Sequence, residues 1–184
     1  MKIKKIEALC KAKKNIFRLE AVNDEGQWRG TFVGTQDGVL ALDEDFPDLT
    51  PEEYLDIWGI SEKDRTKWSK ASGTSTNPVY AFEFPGELPA YERPVIIETG
   101  AGSWCSFRIC DGRSFFIRAE YIEPFRKEQN VLFYLREIEE RKYLAIKTGW
   151  LLEGVVGILP EESGEIKELS RILRSIVTGE EEER

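Results

Sequence analysis

Asp111-Gly112 is the feature that most narrows what this chain can fold into. Both residues tolerate a positive φ, which is what a two-residue turn between twisted antiparallel strands demands. Strand-like runs flank the pair, Ser103 to Cys110 before it and Arg113 to Arg118 after it, so it reads as a β-hairpin. Similar punctuation recurs along the chain. Val131 to Ile138 and Tyr143 to Thr148 flank the polar run Glu139 to Lys142. Ile16 to Val22 and Gln27 to Val33 flank Asn23-Asp24-Glu25-Gly26, and Asp37-Gly38 precedes a short strand from Val39 to Leu42. Residues 2–10 also alternate, with Ile6, Ala8 and Cys10 on one face and Ile3 and Leu9 on the other, and are read as an opening strand before a basic loop. Val79 to Phe84 and Val95 to Glu98 are read as strands around a proline-bearing loop (Pro85, Pro89, Pro94), and Trp150 to Ile158 as the last strand.

Helix signals are fewer but explicit. Thr50-Pro51-Glu52-Glu53 offers an N-cap threonine, a proline at the first helical position and a glutamate placed to close a capping box. That helix should stop near Gly59 and restart at Ser61, running to about Lys70, with Tyr54, Leu55 and Trp58 packed on the sheet. Ala119 to Phe125 reads as a helical turn that stops at Pro124. A final helix, capped by Ser163, carries Ile166, Leu169, Ile172, Leu173, Ile176 and Val177 as an apolar stripe that must dock on a sheet. The expected fold is α+β: a mostly antiparallel sheet, an inserted short helix pair, and a C-terminal helix packed on the sheet. It is read as one compact domain over 1–178, or two β-rich halves (1–70 and 79–178) joined by the linker-like stretch 71–78. The run 179–184 is expected to be a disordered acidic tail.

Among the 184 residues there is no histidine. Ser-His-Asp and Cys-His hydrolases and every His-ligated metal site are thereby removed. Cys105 and Cys110 lie five apart in one expected strand and so point to opposite faces, which leaves no shared metal site on it. Gly100-Ala101-Gly102 precedes a strand, not the helix whose N-terminus would hold a phosphate, and no Walker sequence occurs. Asp43-Glu44-Asp45, with Asp48 nearby, is the densest carboxylate group, fit in principle for a hard cation but more simply a solvated loop. The triplet Glu140-Arg141-Lys142 falls in a turn and faces water. No catalytic residue, metal site or cofactor is assigned. Trp104, Phe115, Phe116, Tyr121 and Phe125 are dense enough to mark either a partner site or ordinary core.

Charge is the sharpest remaining clue. Residues 1–14 hold six lysines against one glutamate, a local charge of +5, which leaves −13 on the remainder of a chain whose net charge is −8. Lys2, Lys4, Lys5, Lys11, Lys13 and Lys14, with Arg18 and Arg29 beside Trp28, are therefore the candidate nucleic-acid-binding residues, lysines following phosphates and an indole stacking on bases. The competing reading places Trp28 in the core and uses the lysines to protect an edge strand. The N-terminus lacks the apolar stretch of a signal peptide, and no run approaches the ~20 apolar residues of a membrane helix. With three scattered cysteines, a cytoplasmic, membrane-free location is expected.

The segments Leu9-Cys10-Lys11-Ala12-Lys13-Lys14, Gln27-Trp28, Pro47-Asp48-Leu49-Thr50 with Glu53, Asp56-Ile57 and Ile60-Ser61-Glu62-Lys63 resemble a family of short uncharacterised proteins carried by prophage-type elements of Gram-positive bacteria. Phe116-Ile117 and Tyr121-Ile122-Glu123-Pro124 resemble a later segment of the same family. The resemblance implies a phage or mobile-element setting and no catalytic residues. The expectation is a non-enzymatic accessory protein that binds protein or nucleic acid, a homo-oligomer being compatible with it. Fold-level analogy adds a clamp-like role in DNA replication, since two helix-backed β-rich halves resemble processivity clamps. The rival readings are a metal-dependent phosphodiesterase built on Asp43 to Asp48 and a virion or host-interference module.

Overall fold

Residues Lys2–Lys13 form a helix, α1, and not the strand their alternation suggests. Ile6, Leu9 and Cys10 are all buried, and their i, i+3, i+4 spacing gathers them on one helical face. Over so short a window the two periods overlap; lysine, alanine, leucine and glutamate, all good helix formers, decide between them. The computed structural model describes residues 2–43 and 45–178. Met1, Glu44 and the run 179–184 lie outside the described residues, as do the side chains of Lys2 and Thr178, so the expected acidic tail is not among what is described.

After α1 come β1 (Asn15–Val22), β2 (Trp28–Thr35), β3 (Gly38–Ala41), α2 (Pro51–Ile57), α3 (Glu62–Arg65) and β4 (Ser69–Ser75). Then follow β5 (Leu88–Thr99), β6 (Gly102–Ile109), β7 (Ser114–Arg118), α4 (Ala119–Ile122), β8 (Val131–Ile138), β9 (Arg141–Thr148), β10 (Leu151–Gly157) and α5 (Gly164–Thr178). The strands make one ten-stranded sheet in the order β4-β1-β2-β3-β10-β9-β8-β5-β6-β7, antiparallel except for β1 with β4. The α+β class is as expected. The stretch read as a linker is different: most of it is β4, whose polar residues carry no hydrophobic pattern and which is a strand because its backbone pairs with β1 from Asn15↔Ser69 to Ala21↔Ser75. α3 is correspondingly shorter than expected. β5 runs through both Pro89 and Pro94: an irregularity between Glu92 and Ile96 spans Pro94, while Pro89 keeps its register opposite Tyr134 of β8.

One sheet face carries Ile16, Val33, Leu40, Phe107, Ile117, Leu135, Leu144 and Ile146, in a common core with Ile6 of α1, Tyr54 and Leu55 of α2 and Tyr121 of α4. The sheet curls far enough that α4, which follows the edge strand β7, meets the β2–β3 hairpin. The Tyr121 and Thr35 hydroxyls lie 2.6 Å apart, the Lys13 ammonium is 2.7 Å from the Glu120 carboxylate, and Lys5 donates to the Pro124 carbonyl. The opposite face has two covers. α5 packs Ile166, Leu169 and Leu173, with Ile172 partly buried beside them, on Ile97, Trp104 and Phe116, whereas Ile176 and Val177, the end of the expected stripe, are exposed. Trp104, Phe115, Phe116, Tyr121 and Phe125 are all buried, so the core reading of that aromatic group is the right one.

The second cover is residues 78–87, a strap of one 3₁₀ turn (Pro78–Tyr80) and irregular chain in place of the strand expected at Val79 to Phe84. Its backbone is taken by a side chain. Arg136 of β8, fully buried, donates from Nη1 to the carbonyls of Val79 (2.5 Å) and Ala81 (2.7 Å) and from Nη2 to that of Phe82 (3.0 Å). Glu87 closes the arrangement, one carboxylate oxygen 2.9 Å from Arg136 Nε and the other accepting from Lys147.

The helix caps read from the sequence are present: Thr50 Oγ1 accepts from the Glu53 N–H at 3.3 Å while Glu53 accepts from the Thr50 N–H at 2.7 Å, and Ser163 Oγ accepts from the Ile166 N–H at 3.2 Å. The Thr50 backbone and hydroxyl bonds hold the Glu53 carboxyl below its usual range. A depressed carboxylate stabilises above its unfolded pKa and loses that contribution as pH falls through the folded value, so this cap weakens only under acid conditions. Thr50→Ala should cost about 1 kcal/mol in urea denaturation at neutral pH; no measurable change would show the cap to be incidental.

Candidate functional site

The seven basic candidates whose side chains are described do not form one surface. Lys5, Lys11 and Lys13 are engaged within the chain, by the Pro124 carbonyl, by Glu7 at 2.6 Å and by Glu120 at 2.7 Å. Arg18 pairs with Asp48 through Nε at 2.9 Å and Nη2 at 2.5 Å. Lys4 and Lys14 are exposed, Lys14 at a positive φ of 48° where α1 gives way to β1; the side chain of Lys2 is outside the described residues. Arg29 is exposed but sits at the far end of the β1–β2 ladder, near the Val22↔Trp28 pair, whereas Lys13 and Lys14 precede the other end. At ~3.3 Å per residue that separation is roughly 20 Å.

Of the acidic candidates, Asp48 belongs to the Arg18 pair, Asp45 is exposed, and Glu44 lies outside the described residues. Among the described residues no three His, Cys, Asp or Glu side chains converge as metal ligands. Cys10 and Cys105 are buried and Cys110 is exposed. Burial pushes the Cys10 thiol up to about 12, and burial reinforced by Glu92 does the same to Cys105. At pH 8, iodoacetamide should therefore label Cys110 alone, read as a single added mass on the folded protein; a second label would contradict the packing around Cys10 or Cys105.

What the fold does bring together is aromatic. Trp28 opens β2 and Trp150 sits in the Gly149-Trp150 turn between β9 and β10; the register of β2 with β3 and of β3 with β10 puts both at one end of the sheet. Trp150 is 89% exposed and Trp28 53% exposed. Between them and the strap runs a groove of about 870 Å³ lined by Trp28, Arg29, Phe32, Asp43, Tyr80, Phe82, Glu83, Trp150, Leu151 and Glu153. The Phe82 and Trp150 rings are 6.3 Å apart. Of the charged residues on this lining, Arg29, Asp43 and Glu83 are exposed and Glu153 is buried. The same end also exposes Leu151, Leu132 near the start of β8, and Tyr91, which follows the Ala90↔Phe133 pair of β5 with β8. The reading of Trp28 as core is thus corrected: the indole is exposed at a strand end, where no layer covers it. Trp150 was not singled out from sequence, although a tryptophan beside a glycine at a turn position, where polar residues are usual, is a signal that could have found it.

On the other side of Tyr80 lies a smaller recess of about 360 Å³, walled by Phe17, Val39, Trp104, Phe116, Tyr143 and Val155 among others. Its one cation, Arg118, is occupied: it lies over the Trp104 ring at 4.7 Å, donates to the Ala101 carbonyl at 2.8 Å and approaches Glu165 at 3.6 Å. No helix among the described residues is long and apolar enough to cross a membrane. Comparison with known family models, with curated proteins and with solved structures finds no match to this chain.

Proposed function

We propose that this chain is a non-enzymatic binding protein, in the phage or mobile-element setting its sequence resembles, and that it engages a protein partner through the aromatic groove at the Trp28–Trp150 end of the sheet. The observation that carries this reading is the exposure of Trp150 at 89% beside Trp28 at 53%. Large indoles left in water on either side of a groove are costly for solubility and are the side chains that dominate interface energetics. Protein is favoured over nucleic acid because the groove's lining offers a phosphate one cation, Arg29, while three of the six N-terminal lysines, Lys5, Lys11 and Lys13, are already bonded within the chain.

The test compares capture by the native protein with capture by the Trp28→Ala/Trp150→Ala double variant, whose altered side chains contribute little to the core. A partner protein retained by the first and lost by the second is the expected result. Tight, salt-sensitive retention of a single-stranded oligonucleotide, lost in the same variant, would replace the protein reading with the nucleic-acid one.

A further inference from the structure

Independently of the groove, we infer that β4 is a pairing edge for a second copy of this chain, the two β4 strands lying antiparallel about a two-fold axis at Ser72. β4 ends the ten-stranded sheet, and no described strand lies on its outer side. Ser69 donates to the Lys14 carbonyl at 3.0 Å, which fixes the backbone groups that the parallel ladder with β1 uses. Bonds in such a ladder fall on alternate residues of the strand, here Ser69, Ala71, Gly73 and Ser75. The N–H and C=O groups of Lys70, Ser72 and Thr74 are therefore turned outward, along a strand with no bulge and no proline.

Chains ordinarily blunt such an edge with charge, proline or a bulge, or cover it. β4 has one charged residue, Lys70, and Glu52 holds it at 2.6 Å. The charges that lead into the strand are matched as well, Arg65 with Asp56 at 2.5 Å and Lys67 with Asp64 at 2.9 Å. The choice of a second copy follows from the side chains. An edge that recruits a foreign segment draws affinity from the main chain and specificity from pockets for alternate side chains. Apart from Lys70, β4 offers only serine, alanine, glycine and threonine, side chains too small to wall such a pocket. Against itself the strand is complementary. Ser72 meets Ser72 of the second copy and Lys70 meets its Thr74, each pair exchanging two main-chain bonds, while Ala71 falls opposite Gly73. No like charges stand opposite one another.

The experiment is sedimentation equilibrium of the full chain over a wide concentration range, beside Ser72→Pro, Ser72→Lys and Trp150→Ala, with circular dichroism to verify that each variant is folded. The native chain should pass from the mass of one copy to that of two. Ser72→Pro removes an outward N–H that the ladder with β1 does not use, and Ser72→Lys sets two ammonium groups together at the axis. Each should weaken the dimer about tenfold or more, and Trp150→Ala should leave it unchanged. Each copy carries a net charge of −8, so added salt should tighten the dimer by screening. A native chain that stays monomeric throughout, or a dimer that ignores both Ser72 variants or dissociates in salt, overturns the inference. A dimer lost in Trp150→Ala and kept in both Ser72 variants would seat the second copy in the groove. A monomer that captures a partner protein and loses it in Ser72→Pro would assign the edge to a foreign strand, and either result also overturns the inference.

Discussion

Gly34→Ala is expected to yield protein that is largely unfolded, or folded with a melting temperature lower by about 10 °C or more. A Cβ at position 34 would stand 2.3 Å from the Gly38 carbonyl oxygen and 2.9 Å from the Val39 Cα, and both obstacles are backbone. Neither can rotate away. Relief requires the β2–β3 hairpin to open, and with it the Thr35–Tyr121 bond that ties the hairpin to α4 and the Cys10 Sγ contact to the Gly34 carbonyl at 3.2 Å. A cost of about 3 kcal/mol or more follows, at the upper end for an inserted methyl because the neighbours are main chain. Gly73→Ala, on the edge strand with nothing within 4 Å of the added carbon, is the matched control and should change stability by less than about 0.5 kcal/mol. Equal stability of the two variants in urea denaturation would show that the hairpin is not packed as described.

Arg136→Met should destabilise by about 3–5 kcal/mol and release the strap in particular. The native guanidinium is fully buried, yet its donors are matched by three carbonyls and the Glu87 carboxylate, so little of its desolvation goes uncompensated. Methionine fills comparable volume but leaves the carbonyls of Val79, Ala81 and Phe82 without that donor, and Glu87 with only Lys147. Amide exchange over residues 79–87 should rise ahead of global unfolding, because those residues are not in a strand ladder and Arg136 is what holds their carbonyls. A loss below about 1 kcal/mol, or unchanged exchange in the strap, would mean that Val79 and its apolar neighbours anchor the segment unaided. The groove depends on this anchor, since Tyr80, Phe82 and Glu83 all belong to the strap.

The local signals in the chain proved dependable where the chemistry is local. Asp111-Gly112 does lie in the turn between β6 and β7, although the turn is longer than two residues, taking in Cys110, and only Gly112 has a positive φ (92°); the caps at Thr50 and Ser163 are made by the hydroxyls expected to make them. The errors lie where a segment's state is set by something distant. α1 satisfied two periods at once over a short window. β4 carries no large apolar residue and became a strand by pairing with β1; the strap lost its strand character to an arginine on β8. The basic cluster illustrates the same limit, because nearness in sequence brought the lysines together while partners such as Glu120 and Pro124, far along the chain, took up their charges or donors.

By itself, then, the sequence determined the class of the fold, the capped helix starts at Thr50, Ser61 and Ser163, and the exclusion of histidine-based chemistry, since each of these depends on residue type or on spacing over a few positions. Only the tertiary structure decided where charge and aromatic surface end up. Trp28 and Trp150 lie at the same end of the sheet because β3 pairs with both β2 and β10, and they line a groove because the strap is pinned beside them by Arg136. Register and burial are properties of the whole sheet, and no window of sequence contains them.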